Sequence, residues 1–412
     1  MMKVLVFSTV FPNAAQPTHG LFVFERVRHL AAHAELRVVA PVSWRVRARA
    51  RVPALDSAGP LAVVHPTFVY IPAVLKVLDG LLLFLSSLRT VTRIRREFDF
   101  DLIDAHFAFP DGFAAILLGW WFDRPVTITL RGTLIPLSRY WWRRQAIAWT
   151  VRRAQWLIAV ATPLAERAIS LGASAERMTV IPNGVDIEQF FPADKTDARR
   201  ALGLPATGRM LVSVGHLSPR KGFHRVLTVL PELLQVYPDL TFAIVGGPGA
   251  ERDNAAALHA TADAPPLRGR VVFAGAQPPT AVRHWLNAAD VFVLASDYEG
   301  CPNAVWEAMG CGRPVVVSKV GEVERMVPPF AGLLFDDPND SASLARCLRD
   351  AFSGEWRSEQ IREYAAAHTW ERVASQVFAE WSRAVSSHNH RPGEATAVET
   401  ATERGRHETT TR

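Results

Sequence analysis

Short apolar runs recur along the chain, each followed by a loop and then by a segment with helical apolar spacing. Lys3–Ser8 (KVLVFS), Glu35–Ala40, Asp101–Ala105, Val126–Leu130, Trp156–Val160 and Met178–Ile181 read as strands, with Leu21–Ala32 as the first helix. A strand that is apolar throughout must be covered on both faces, and strands separated by helices run parallel. The pattern predicts an α/β chain on a parallel sheet with helices on both sides.

The series breaks at Asp186–Asp197, where DIEQFFPADKTD is polar and aromatic, holds Pro192 and reads as a hinge. A second series follows, with strands expected at Met210–Val214, Leu240–Val245, Val271–Phe273, Val291–Leu294 and Pro314–Val317. We read two similar Rossmann-like domains facing each other, residues 1–188 and 198–368. The chain has 412 residues, 49% hydrophobic and 21% charged, which is ample for two cores. Residues 386–412 lack bulky apolar side chains and read as a disordered tail.

The net charge of +6 is uneven: the first 190 residues hold 22 Lys+Arg against 14 Asp+Glu. A basic half suits an anionic ligand, an anionic membrane surface or nucleic acid. Cys301, Cys311 and Cys347 form no paired framework and no CxxC, and read as reduced thiols of a cytoplasmic protein. MMKVLVFSTVFP lacks a signal-peptide pattern. The uncharged stretch Ser57–Leu75 holds Pro60, Pro66 and Pro72 and cannot be one spanning helix, and Val77–Leu88 is too short to cross. The expected location is the cytoplasm, with a peripheral seat on the inner face of the cell membrane as an option.

Ligands of parallel sheets bind outside the carboxyl ends of strands, so the loops after strands are where chemistry is expected. Ser296–Pro314 (SDYEGCPNAVWEAMGCGRP) follows the run DVFVLA. Gly300 permits a tight turn, Pro302 suits a first helical position, and Gly310 or Gly312 suits the exit. The free amides and positive dipole end of such a helix suit a phosphate, which places Cys301, Pro302 and Asn303 with a phosphorylated ligand. Glu299 lies in the loop and Glu307 inside the helix, so one carboxylate can face the reacting end of a ligand while the other receives a ribose diol. Glu355/Glu363 and Glu363/Glu371 share the same spacing, so the strand–turn–helix setting carries the reading.

In VSVGHLSPRKGFHRVL (212–227), Arg220 and Lys221 precede a helix and can neutralise a leaving diphosphate; two solvated loop cations would look the same. In FAIVGGPGAER (242–252), Gly246 and Gly247 follow a strand and allow close approach of a base or phosphate, though a plain turn explains them too. Gly20 precedes a helix and can bring backbone to an anion. His106 follows the run DLIDA and can exchange a hydrogen bond with a sugar hydroxyl, and Arg131 in TLRGT faces the same way. Asp99-Phe-Asp101 has the form of a metal-binding DxD but precedes a strand, so it reads as a solvated turn, and no metal site is expected. Arg45, Arg47, Arg49 and Arg51, and the stretch SRYWWRRQAIAWTVRRAQW (138–156), set arginines beside aromatics in a way that suits an anionic bilayer. Packing plus ordinary solvation would leave the same pattern, and no recognised nucleic-acid motif is present.

Taken together, YEGCPNAVWEAMGCGRPVVVSKVGE, GHLSPRKG and VIPNGVDIEQFFP resemble the signature segments of retaining glycosyltransferase family 4, which has the GT-B fold. The resemblance covers roughly residues 2–385. The opening FSTVFPNAAQPTHGLFVFERVRHLA, with HFAFPDGFAA and TLRGT, is similar to members that build bacterial exopolysaccharide or teichuronic-acid-like polymers. The resemblance implies Glu299 at the donor sugar, Glu307 on the ribose, Arg220 and Lys221 on the diphosphate, Gly20 beside it, and His106 on the sugar. It also implies that the last helix, residues 369–385, crosses back onto the first domain. His216, His19 and Glu322 depart from the family pattern. The expected activity is metal-independent transfer of a sugar, with retention, from a UDP- or GDP-sugar to a saccharide or polyprenyl-linked acceptor in cell-surface polysaccharide synthesis. A nucleotide-sugar epimerase and a non-catalytic nucleotide-sugar-binding subunit are the alternatives.

Overall fold

Two separate sheets organise the chain, one per half. The computed structural model describes residues 1–59, 61–71, 75–248 and 253–390. The first half holds β1 (Lys3–Phe7), β2 (Glu35–Val39), β3 (Val42–Ser43), β4 (Leu55–Ala58), β5 (Leu61–Val64), β6 (Thr67–Phe68), β7 (Leu102–His106), β8 (Val126–Leu130), β9 (Trp156–Ala159) and β10 (Met178–Val180). The second half holds β11 (Met210–Val214), β12 (Thr241–Val245), β13 (Val271–Gly275), β14 (Val291–Leu294), β15 (Val315–Ser318) and β16 (Gly332–Phe335).

The first sheet runs β10-β9-β8-β7-β1-β2-β5-β4, parallel except for the edge hairpin β4–β5, while β3 and β6 pair separately. The second runs β13-β12-β11-β14-β15-β16 and is parallel throughout. The central strands VTITL and VFVL are buried at every position, as the sequence pattern requires of a sheet with helices on both faces. The hairpin β4–β5 and the edge strand β16 go beyond the sequence reading. β5 occupies four residues of the proline-rich stretch between Pro60 and Pro66.

The strand order reverses between β1 and β7 in the first sheet and between β11 and β14 in the second. Such switch points open a crevice at the carboxyl edge, because the helices on either side depart in opposite directions.

The last helix, Trp370–Asn389, returns to the first domain, where Val373, Val377 and Trp381 join the buried cluster of Val4, Val23 and Val27. It outruns the expected end at residue 385 by four residues, so residues 386–389 are helical where a tail was expected. Residues 391–412 lie outside the described part of the chain. The hinge expected over Asp186–Asp197 contains a turn at residues 187–189 and the start of the helix Lys195–Ala201, capped by the Asp194 carboxylate on the Asp197 amide. Asp99 and Asp101 stand before β7, paired with Arg95 and Arg124 and with the Lys3 amide respectively.

Candidate active site

The loops after β11 and β14 meet at the second domain's switch point. Gly222 turns the first loop into the helix Phe223–Val236 with a left-handed φ of 71°; a Cβ there would lie 1.8 Å from the Ala295 carbonyl oxygen, so only glycine fits. This approach sets Lys221 Nζ 2.7 Å from Glu299 Oε1 and Arg220 Nη1 3.1 Å from Glu299 Oε2. Ser296 Oγ also donates to Glu299 Oε1, at 2.8 Å. Burial pushes the Glu299 carboxyl up, but Lys221 and Arg220 and the two donors outweigh it and hold the group below its ordinary value. Two cations thus share one carboxylate, which leaves the trio net positive at the crevice.

The second loop leads into the helix Asn303–Gly310, with Pro302 at its N-cap, one position earlier than expected. Gly312, and not Gly310, takes the left-handed conformation after it, with φ 69°. Glu307 lies on this helix. Burial first, and then Glu25 on the facing helix Leu21–Leu30, push its carboxyl up to about 7, while Lys221 pulls the other way. Glu299, Glu307, Lys221 and Arg220 therefore share one corner that faces the first domain.

On the first domain, the loops after β1 and β7 are tied together at the matching switch point. The Thr9 amide and Oγ1 both donate to the buried Asp111 carboxylate. Gly20 caps the helix Leu21–Leu30 with φ 75°, and a Cβ there would meet the Val10 carbonyl oxygen at 2.5 Å. His19 is held below its ordinary value by burial and by the field of His216 from the loop after β11. Two of the three departures from the family pattern therefore act on each other between the domains.

His106 ends β7 and is fully buried. Its Nδ1 accepts from Arg131 Nη2 at 3.2 Å, which places the ring proton on Nε2, 3.3 Å from Asp104 Oδ2. Burial lowers the imidazole to about 4 despite Asp104, so the ring is neutral. The structure brings His106 and Arg131 together and tucks the ring behind the crevice wall instead of exposing it.

Gly246 and Gly247 pack on protein backbone: a Cβ at Gly246 would lie 1.8 Å from the Gly215 carbonyl oxygen, and the Leu217 amide donates to Gly247 O. The rest of that glycine run, residues 249–252, lies outside the described residues.

Asn183 and Glu322 bridge the domains, and sequence reasoning assigned a role to neither. Asn183, in the IPNG segment, accepts from Arg131 Nη1 at 3.3 Å. Its Nδ2 donates to Cys301 O at 3.2 Å and to Asn303 Oδ1 at 2.7 Å, and its amide donates to Cys301 Sγ. Burial pushes the Cys301 thiol up to about 12, so it acts as a packed, un-ionised group. Glu322 reaches the start of the helix Thr162–Ser170, accepting from the Thr162 amide at 2.6 Å. A buried carboxylate at a helix start satisfies an otherwise orphaned amide and the dipole together. The partners of both residues are too distant in sequence for spacing to reveal them.

The overall architecture matches a sucrose-phosphate synthase from Thermosynechococcus elongatus, with TM-score 0.79 and 21% identity over 94% of this chain and 100% of that one. It also matches HepE from Anabaena, solved in complex with UDP-glucose, with TM-score 0.71 and 22% identity over 93% and 100% of the two chains. Residues 20–189 match the family described as Glycosyltransferase Family 4, and residues 194–368 match Glycosyl transferases group 1. The chain is a GT-B glycosyltransferase. Along its whole length this glycosyltransferase is similar to TuaC of Bacillus subtilis (strain 168), named for teichuronic acid biosynthesis, at 27% identity over 96% of this chain and 100% of that one. A D-inositol 3-phosphate glycosyltransferase from Acidothermus cellulolyticus is 34% identical over 48% of this chain and 45% of its own length. Neither the epimerase nor the non-catalytic reading is favoured by these relatives.

Proposed function

We propose that this glycosyltransferase moves a sugar, with retention of anomeric configuration, from a UDP- or GDP-sugar to a hydroxyl of a lipid-linked saccharide in cell-surface polysaccharide assembly. The observation that carries the reading is the Lys221–Glu299–Arg220 cluster at one switch point, beside Glu307 and facing the opposite switch point. UDP-glucose bound to HepE and the full-length likeness to TuaC support the donor class and the pathway type.

Breaking the bond between the sugar C1 and the diphosphate oxygen leaves negative charge on the diphosphate and positive charge on the sugar. Arg220, Lys221 and the amide-rich start of the Glu307 helix stabilise the first, so side-chain cations take the role that a metal has in DxD enzymes. Preorganised charge of this kind supplies the largest share of many rate enhancements; losing one donor costs on the order of 10²–10³ in rate. Glu307 receives the ribose hydroxyls, and Gly20 brings backbone toward the diphosphate from the first domain. The neutral His106 backs the sugar pocket, with its proton fixed by Arg131. The acceptor oxygen bonds to C1 as its proton passes to the leaving phosphate oxygen, and the closed domains keep water from competing.

The test is a thermal-shift panel over UDP- and GDP-sugars, followed by nucleotide release with and without a lipid-linked saccharide in the presence of EDTA. Binding raises the melting temperature of the folded chain. Acceptor-dependent release and an NMR anomer matching the donor are expected. An inverted product overturns retention, loss of activity in EDTA overturns metal independence, and the lack of any donor-induced shift overturns the donor site.

A further inference from the structure

Exposed apolar bulk is concentrated on one domain. Among the described residues the second domain exposes only Val236 and Phe330 of its large apolar side chains, whereas the first exposes a dense set on three adjacent helices, Asp79–Glu97, Phe113–Phe122 and Trp141–Arg153. Trp120 and Trp121 are 60% and 64% exposed, and Trp141 and Trp142 are 58% and 66% exposed. Trp121 packs edge-on to Phe84, Trp120 packs edge-on to Trp149 with the Arg153 guanidinium over both rings, and Trp141 packs edge-on to Trp142 at the start of the third helix. The charge around the indoles is basic. On the helix Asp79–Glu97 the exposed residues run Leu81, Leu85, Arg89, Arg93, Arg96 and Glu97, apolar at the start and predominantly cationic toward the end. At the start of the third helix Arg144 is exposed beside Trp141 and Trp142, and Arg143 lies over the Tyr140 ring.

A soluble surface seldom exposes four large indoles on two neighbouring helices. Indoles interleaved with arginines match the zone between lipid headgroups and acyl chains, where the ring is buried and the guanidinium meets phosphate. The orientation is also useful. In parallel crossovers the end of a helix feeds the start of the next strand, so the starts of Asp79–Glu97 and Trp141–Arg153 lie at the carboxyl edge that carries the crevice.

We infer that this three-helix face of the first domain is a docking surface for an anionic lipid bilayer, which seats the crevice mouth at the membrane plane. The inference rests on exposure and charge, and stands or falls apart from the transfer reading. The other basic stretch, Arg45–Arg51, contributes less: Arg47 is half-buried and donates to the Val52 and His65 carbonyls.

The experiment is co-sedimentation of the full chain with vesicles of phosphatidylglycerol and phosphatidylethanolamine, and with phosphatidylcholine vesicles as the neutral arm. Wild type is expected to bind the anionic vesicles and to lose about tenfold in affinity between about 50 and 500 mM salt. Trp141→Ser/Trp142→Ser and, separately, Arg143→Glu/Arg144→Glu are each expected to weaken binding by roughly tenfold or more. Their melting temperatures and donor-induced thermal shifts should stay near wild-type values, since Trp141, Trp142 and Arg144 are exposed and Arg143 is half-exposed. Absence of wild-type binding to anionic vesicles at low salt overturns the inference. So does undiminished binding by both variants, equal binding to phosphatidylcholine, or a surface that instead retains RNA or self-associates without vesicles.

Discussion

Lys221 and Glu299 neutralise each other across the second domain's switch point, Nζ to Oε1, at 2.7 Å. Each fixes the other, so removing either disturbs charge and position together. Lys221→Ala and Glu299→Ala are each expected to cut nucleotide release by about 10²–10³ while the far-UV circular dichroism stays native. Near-normal turnover in both purified variants would remove this pair from the chemistry.

Glu307 makes the protein's stability depend on pH in a definite direction. Its carboxyl moves from an ordinary 4.5 to about 7. Over that window the folded chain holds a proton that the unfolded chain has released, so this contribution is complete below 4.5 and fades as pH rises toward 7. Glu307→Gln should flatten that part of the pH–stability curve measured by urea denaturation. Glu307→Ala should weaken UDP or GDP binding by about tenfold to a hundredfold, the value of charge-assisted hydrogen bonds. Unchanged nucleotide affinity in calorimetry would assign the carboxylate elsewhere.

Glu322 holds the two domains together at the start of the helix Thr162–Ser170. Glu322→Ala leaves the Thr162 amide without its acceptor and should cost about 1–2 kcal/mol. Glu322→Gln keeps an acceptor oxygen and should recover part of the loss. Thermal melts that place all three proteins at one midpoint would show that the contact contributes nothing.

Cys301 and Cys311 are both pushed up to about 12 by burial, and all three cysteines are buried. Ellman's reagent at pH 8 should therefore titrate the native protein slowly and the denatured protein quickly. Asn183→Ala should speed labelling of Cys301 in particular, because the Asn183 side chain clamps the Cys301 carbonyl and Asn303 and so holds the backbone around that thiol. Immediate labelling of the native wild type would contradict the closed arrangement of the domains.

The parts of the fold that could be read in advance were those where burial leaves no choice. VFVL is apolar throughout because helices cover both faces, VTITL carries only β-branched residues and leucine there, and Glu299, Lys221 and Glu307 stand out because each follows a buried strand. The hairpin Leu55–Ala58/Leu61–Val64 escaped because Pro60 interrupts the sequence between its strands and Pro66 follows closely, and GLLF because an edge strand needs only four residues. Asn183 was visible only as part of a resemblance: Arg131 lies 52 positions away and Asn303 120, and no local pattern encodes such a meeting. The stretch 138–156 reads as one basic-aromatic segment, yet folding buries Ile147 and Val151 and sets Trp141 beside Trp142 on the outside. Trp120 and Trp121, exposed on the neighbouring helix, come from a segment whose sequence shows only a strongly apolar helix.

The helix Trp370–Asn389 has a consequence for how the molecule is made. It supplies Val377 and Trp381 to the buried cluster that also holds Val4, so β1 emerges from the ribosome long before the helix that completes its hydrophobic cover. A nascent chain halted at residue 368 would carry both sheets but an unroofed first lobe, and is expected to be a target for chaperones and proteases rather than a working half-enzyme.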